Sequence, residues 1–261
     1  MHQHPVWPYA RISAHRGGGT LAPENTLEAF RTGLRHGFAA METDAMLAKD
    51  GVPILMHDEV FGRTIRDRQG SVPELTSLEV RTLDAGSWFS PEYCGIPPAG
   101  FEQTVRWCRA NRCWLNIEIK PAKGHEAETG RVVAKMTREL YADLISPAGG
   151  TREGIVPAVP LMSSFKVAAL EAALETAPEL PRGFLFDEVP EDWVETAKRL
   201  QCVSVHMNQR RTTPELVERA HAEGFWVFCY TVNSPVRLQE LWRMGVDAVC
   251  TDRLDIVRPC L

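Results

Sequence analysis

Short apolar runs rich in β-branched residues alternate along this chain with longer stretches whose apolar positions recur at helical spacing. The short runs fall at 11–14, 39–44, 113–119, 160–164, 183–187, 203–207, 225–230 and 247–251. Eight such runs separated by helical segments predict a parallel (β/α)8 barrel of the TIM type, with a doubly wound open sheet as the alternative. A helix is predicted over 25–36, opened by Asn25-Thr-Leu-Glu28, in which Asn25 takes the N-cap and Glu28 answers it three positions later.

A ninth apolar run, 52–57, follows the second strand after only a Lys49-Asp50-Gly51 turn. Parallel strands need a crossover of about a dozen residues or more, so this pair is expected to be an antiparallel hairpin. A turn centred near Lys49 and Asp50 sets Glu42 roughly opposite His57. No repeat, low-complexity tract or Gly/Ser linker divides the chain, and one domain over 1–261 is expected. Within it, the glycine-containing segment 59–100 is too long for a plain connection and is expected to be a functional lid or binding loop.

In a barrel of this type, the residues closing the strands at their C-terminal ends form the active site. Here those positions are rich in chemistry: His15-Arg16-Gly17, Glu42 with Asp44, His57-Asp58, and Glu118-Ile119-Lys120. Glu42 and Asp44 are two apart on a strand and share a face, as do Glu118 and Lys120. Any one of these carboxylates alone would be an ordinary surface or ion-pair residue. Three converging in a barrel mouth would repel one another unless a cation lay among them, and all-oxygen ligation suits Mg2+ or Ca2+.

Such a constellation matches the needs of phosphodiester hydrolysis, which are neutralised phosphoryl oxygens, a base and an acid. His15 and His57 suit the acid and base roles. Arg16 and Lys120 suit the phosphoryl oxygens. The remaining histidines, at 2, 4, 36, 125, 206 and 221, are read as structural. Gly17-Gly18-Gly19 lacks a Gly-Lys-Ser/Thr ending, so it is read as flexible backbone and not as a nucleotide loop.

Composition narrows the classes. A formal net charge of -5 and a pI near 5.9 give no footprint for nucleic acid or an anionic membrane. Seven cysteines without a C-x-x-C pair point to reduced, mostly buried thiols. The first eleven residues lack the apolar run of a signal peptide or a membrane span, and a cytoplasmic location is expected.

His15-Arg16-Gly17, Pro23-Glu24-Asn25-Thr26, Glu42-x-Asp44, Lys49-Asp50-Gly51, His57-Asp58 and Arg63-Thr64 resemble the signature of the glycerophosphodiester phosphodiesterases. Trp88-Phe89, Asn116-Ile-Glu-Ile-Lys120, Ser163-Ser-Phe165, Thr231-Val-Asn233 and the stretch from Gly245 to Asp252 continue that resemblance in order over nearly the whole chain. The stretches 14–26, 84–89 and 178–183 look most like the cytosolic bacterial branch associated with glycerol-phosphate uptake. The resemblance implies His15 and His57 as the acid/base pair, Glu42, Asp44 and Glu118 as metal ligands, and Arg16 and Lys120 as phosphate contacts. It also implies a small-molecule substrate such as glycerophosphocholine or glycerophosphoethanolamine, cut to sn-glycerol 3-phosphate and an alcohol.

Many relatives carry Trp where this chain has Tyr230, so the shape of the glycerol pocket is the part that transfers least directly. Phe165 and Phe89 are further candidates for its wall, and the resemblance implies that 59–100 is an inserted cap over the barrel mouth that shapes specificity on the alcohol side. A phospholipase acting on intact lipid would need an apolar or basic membrane-binding element that the sequence lacks. A metal amidohydrolase would carry H-x-H on its first strand, where this chain has His15 alone. A binding protein without catalysis would have no need of both histidines. A monomer or a homodimer is expected.

Overall fold

The computed structural model describes residues 5–259; His2, His4 and Cys260, read above from sequence, lie outside them. Nine strands form one sheet: β1 (Ile12–Ala14), β2 (Ala40–Leu47), β3 (Pro53–Leu55), β4 (Trp114–Ile119), β5 (Leu161–Ser164), β6 (Arg182–Phe186), β7 (Ser204–Asn208), β8 (Trp226–Tyr230) and β9 (Ala248–Thr251). All except β3 pair in parallel, and the ring closes where Ala14 of β1 meets Met41 of β2. The result is the expected eight-stranded parallel barrel. The helices are α1 (Leu27–Arg35), α2 (Ser77–Val80), α3 (Phe101–Ala110), α4 (Glu126–Leu140), α5 (Val167–Thr176), α6 (Trp193–Arg199), α7 (Pro214–Ala222) and α8 (Pro235–Met244).

Strand alternation separates two cores. Met41, Ala45, Leu115, Ile117, Val205 and Val227 face outward and pack with the helices. Ala40, Trp114, Leu161, Trp226 and Ala248 face inward and, with Trp7 and Tyr9, fill the end of the barrel where the strands begin. Tyr9 stacks on Trp114 at 4.1 Å, and Trp226 donates its indole N–H to the Pro5 carbonyl at 2.7 Å. The barrel is therefore sealed at one end, and polar chemistry is confined to the other. On the outside, α4 approaches α5 so closely that a Cβ on Gly130 would lie 2.1 Å from the Ala169 carbonyl oxygen.

The hairpin is present, with β3 antiparallel to β2. Its register differs from expectation: Ala45 pairs with Leu55, and the Met56 N–H donates to the Asp44 carbonyl at 3.1 Å. The turn is centred one half-step later than Lys49–Asp50, because the Ala48 N–H closes it on the Val52 carbonyl at 3.0 Å. A shift of that size moves the residue facing His57 away from Glu42.

The start of α1 also differs. Thr26, not Asn25, is the N-cap, its hydroxyl accepting from the Ala29 N–H at 3.2 Å, while Glu28 pairs with Arg35 at 2.7 Å. Asn25 sits at φ +56° with its side chain turned into the barrel mouth. The glycine triplet before it is packed tightly and is not a flexible loop. A Cβ on Gly19 would fall 2.1 Å from the Asp252 carbonyl oxygen, and Gly17, at φ +84°, abuts Phe30.

Segment 59–100 folds as the expected insertion, with α2 and single 3-10 turns at Val72–Glu74 and Pro91–Tyr93. Phe61, Ile65, Val72, Leu75, Val80 and Leu83 build its own small core upon Met46 and Ile54 of the hairpin. The hairpin thus serves as the platform that carries the cap. Of the cysteines, 108, 113, 202, 229 and 250 are buried and Cys94 is exposed, all as free thiols.

Candidate active site

Strand register brings three acidic side chains to one point. Asp44 pairs with Glu118 across β2 and β4, and Glu42 lies two residues before Asp44 on the same inward face. Oxygen atoms of Glu42, Asp44 and Glu118 all lie within 4.8 Å of one another, and all three residues are buried.

The electrostatic result is uneven. Burial, with Asp44 and Glu118 nearby, holds the Glu42 carboxyl well above the usual carboxylate range. Burial and Asp44 push Glu118 up to about 7 against the pull of Lys120, whose Nζ lies 3.0 Å from Glu118 Oε1. For Asp44, burial is outweighed by Arg16, His57, Lys120 and the Asn25 amide, and its pKa falls to about 2. A protein that buries carboxylates at such cost without a cation would be poorly served, and a hard divalent ion fits this all-oxygen donor set.

Arg16 is held among these acids. Its backbone N–H donates to Glu42 Oε2 at 3.0 Å, its Nε lies 3.4 Å from Asp44 Oδ2, and its Nη1 donates to Glu24 Oε1 at 2.7 Å. Arg63, from the cap, grips the same Glu24 through two nitrogens at 2.6 and 2.7 Å and donates from Nε to Asp58 Oδ2 at 2.5 Å.

Each histidine is backed by a carboxylate. His15 Nδ1 lies 2.5 Å from Asp252 Oδ1, with Nε2 on its far side 3.7 Å from Glu42 Oε2. Asp252 is itself held by the Asn233 side chain, which donates to Oδ2 at 2.8 Å and accepts from the Asp252 N–H at 2.8 Å. His57 Nδ1 lies 2.6 Å from Asp58 Oδ1. Burial, Arg16 and Lys120 hold the His57 pKa below its ordinary value in spite of Asp44 and Asp58, so this ring is neutral near pH 7.

Next to the acids is a narrow cavity of ≈ 40 Å³. His15, Glu42, Glu118, Phe165 and Tyr230 are among the residues that line it. Phe165 meets Tyr230 edge-on at 5.8 Å and carries Lys120 Nζ 5.5 Å from its ring centroid. The Tyr230 hydroxyl donates to the Phe186 carbonyl at 3.1 Å, so the extra oxygen is tied to backbone. Phe89 does not join this wall; it packs between Trp88 and Tyr93 in the cap.

The nine residues singled out from sequence therefore lie at one end of the barrel, in contact with one another or with shared partners. Sequence reasoning gave Asn25 only the helix cap and assigned no role at the site to it or to Glu24, Asp58, Arg63, Asn233 or Asp252, which hold the others in place. Asp252 had a usable signal, since it follows β9 directly and so occupies a strand end like the rest.

A TIM-type barrel closed at one end, with a buried acidic cluster and two carboxylate-backed histidines at the other, defines a hydrolase that works on an anionic ester. The family profile described as the glycerophosphoryl diester phosphodiesterase family matches residues 15–256, and the chain belongs to that family of phosphoric diester hydrolases. A glycerophosphodiester phosphodiesterase of Caldanaerobacter subterraneus is 29% identical over 92% of this chain and 93% of its own. A mouse glycerophosphoinositol inositolphosphodiesterase is 42% identical over 96% of this chain and 47% of its own length. Among solved structures, an Oleispira antarctica phosphodiesterase in complex with the product sn-glycerol-3-phosphate superposes with a TM-score of 0.81 at 30% identity, over 93% of this chain and 92% of that one. Among the described residues no helix is long and apolar enough to cross a membrane.

Proposed function

We propose that this phosphodiesterase hydrolyses glycerophosphodiesters such as glycerophosphocholine and glycerophosphoethanolamine to sn-glycerol 3-phosphate and an alcohol, in a metal-dependent reaction. The observation that carries the reading is the mutual approach of the Glu42, Asp44 and Glu118 carboxylates to within 4.8 Å, with the His15 ring beside Glu42. These three residues would hold the divalent ion, with Mg2+ first and Ca2+ as the alternative. When bound, the ion supplies charge neutralisation at the phosphoryl oxygens.

The chain's own residues supply the rest. Arg16 and Lys120 hold the phosphate, and His15 and His57 act as general acid and base. Carboxylates on both Nδ1 atoms fix each ring with Nε2 directed away from its partner and available for proton transfer. Phe165 and Tyr230 form the apolar wall against the glycerol carbons. The attacking nucleophile is water or the substrate's own glycerol 2-hydroxyl; product analysis in heavy-oxygen water, with a search for a cyclic phosphate, separates the two.

Residues 1–261 are read as one domain, with the cap at 59–100 shaping the site on the alcohol side. A small-molecule substrate, a cytoplasmic setting and a monomer or homodimer complete this reading. The deciding measurement is turnover of glycerophosphocholine and glycerophosphoethanolamine with and without EDTA, beside His15→Ala, His57→Ala and Glu42→Ala. Metal-dependent release of glycerol 3-phosphate that all three substitutions abolish is the expected result. A folded wild-type protein that binds these diesters without turning them over would overturn the proposal.

A further inference from the structure

Strand register gathers a second set of donor atoms beside the three carboxylates. Ser13 pairs with Cys250 across β1 and β9, and Ala14 pairs with Met41 across β1 and β2. His15, two residues after Ser13, therefore shares the inward face with Cys250, and Glu42, next after Met41, stands beside it. The atoms converge as this register requires. A ring nitrogen of His15, a carboxylate oxygen of Glu42 and Cys250 Sγ all lie within 4.8 Å of one another. Glu42 and Cys250 are buried, and all three residues line the cavity of ≈ 40 Å³.

The donor types distinguish this set from its neighbour. Glu42, Asp44 and Glu118 offer oxygen alone, which suits a hard ion, whereas sulfur, nitrogen and oxygen together suit the borderline-soft Zn2+. Tetrahedral Zn2+ with bonds of about 2.0–2.3 Å sets its ligand atoms roughly 3.3–3.6 Å apart. His15 Nε2 and Glu42 Oε2, at 3.7 Å, already stand near that separation. His15 is also oriented as zinc-binding histidines are, because Asp252 holds Nδ1 at 2.5 Å and leaves Nε2 for a metal. The cavity gives room for a water in the fourth position. Burial and Glu42 hold the Cys250 thiol well above its ordinary value, so it ligates only by giving its proton to solvent as the metal–sulfur bond forms. Mg2+ has little affinity for sulfur and leaves that proton in place.

We propose that His15, Glu42 and Cys250 form an inhibitory Zn2+ site that overlaps the site of the hard ion at Glu42. A Zn2+ ion bound there takes Glu42 from the acidic cluster and occupies His15 Nε2, the nitrogen needed for proton transfer. The inhibition rests on the acid/base role proposed for His15 above; the binding does not.

The test has a spectroscopic arm that needs no turnover. Co2+ is added to the EDTA-treated and dialysed protein, wild type and Cys250→Val. The wild type is expected to give the near-ultraviolet sulfur-to-cobalt charge-transfer band, and the variant to lack it. Zn2+, measured by competition with a chelating dye, is expected to bind the variant about 100-fold or more weakly, since even outer-shell partners of a metal ligand are worth about 10- to 100-fold. In Mg2+-supported turnover of glycerophosphocholine, Cys250→Val is expected to match the wild type and to need about 100-fold more Zn2+ for half-inhibition. Cys250→Ser, closer in size, provides the same comparisons should Cys250→Val fail to fold.

Absence of the cobalt–sulfur band in the folded wild type, or equal Zn2+ affinity of wild type and variant, would overturn the site. So would a crystal structure with Zn2+ held among Glu42, Asp44 and Glu118 and away from Cys250. Zn2+ bound through Cys250 that leaves turnover undiminished would overturn the inhibitory role. A wild type inactive on every glycerophosphodiester that still shows the band and the selective loss of Zn2+ affinity would overturn the hydrolytic proposal and leave the zinc site standing.

Discussion

His15 Nδ1 and Asp252 Oδ1 lie 2.5 Å apart although 237 positions separate them in the chain. The contact exists because β9 pairs with β1 to complete the barrel, placing the residues that follow the two strands side by side. Asp252 accepts from His15 and from Asn233, and burial notwithstanding, these contacts hold its pKa below the ordinary carboxylate value.

Asp252→Asn is therefore expected to leave the fold intact and to lower kcat/KM for glycerophosphocholine by about 10²-fold or more, the scale of losing one oriented acid or base. Steady-state kinetics with a melting curve of the same variant checks this. An unchanged kcat/KM would remove Asp252 from any role in positioning His15.

Arg63 joins Glu24 and Asp58, and through them Arg16 and His57. Removing it takes one partner from both carboxylates at once, leaving Glu24 to Arg16 and Asp58 to His57. Arg63→Met is expected to lower kcat about 10- to 100-fold with a smaller change in KM, and Arg63→Lys to recover little, because a single ammonium cannot reproduce the two-nitrogen grip on Glu24. Kinetics of both variants against the wild type provides the comparison.

The acidic cluster gives a pH dependence with a definite sign. Glu118 is raised in the folded protein to about 7 from an unfolded value of 4.5. Its contribution to metal-free stability is thus complete below the unfolded value and is lost as pH rises through about 7. Asp44 acts oppositely, its stabilisation present above 3.8 and lost as pH falls through about 2, so it is constant over the neutral range. Thermal melts of the EDTA-treated protein are expected to fall between pH 5.5 and pH 8. Added Mg2+ or Ca2+, which competes with protons for the same oxygens, is expected to raise the melting temperature more at pH 8 than at pH 5.5. Equal increments at both pH values would contradict metal binding at Glu118.

Gly130→Ala tests the α4–α5 contact. A backbone carbonyl, unlike a side-chain end, has little freedom to retreat from the added methyl, so the two helices must separate. A loss of about 1–3 kcal/mol in urea unfolding is expected, with the kinetic constants of the remaining folded enzyme little altered.

The sequence by itself determined the barrel and the candidate residues, because both are local patterns. Short apolar runs rich in β-branched residues, alternating with helical stretches, predict strands, the short Lys49–Gly51 turn requires an antiparallel pair, and histidines and acids closing those runs fall at strand ends in any such barrel. It did not determine how the residues hold one another. A one-step difference in hairpin register, the choice of Thr26 over Asn25 as helix cap, and the tight packing of Gly17 and Gly19 depend on close contacts between distant segments. Closure alone brought Asp252 to His15, and the cap alone brought Arg63 to Glu24. His206 reads from the chain as a core histidine and is buried as one, and only the fold shows that the absence of a side chain at Gly183 makes the room for its ring. Pattern sets which face a residue occupies, while burial and the partners across the barrel decide what that residue can do there.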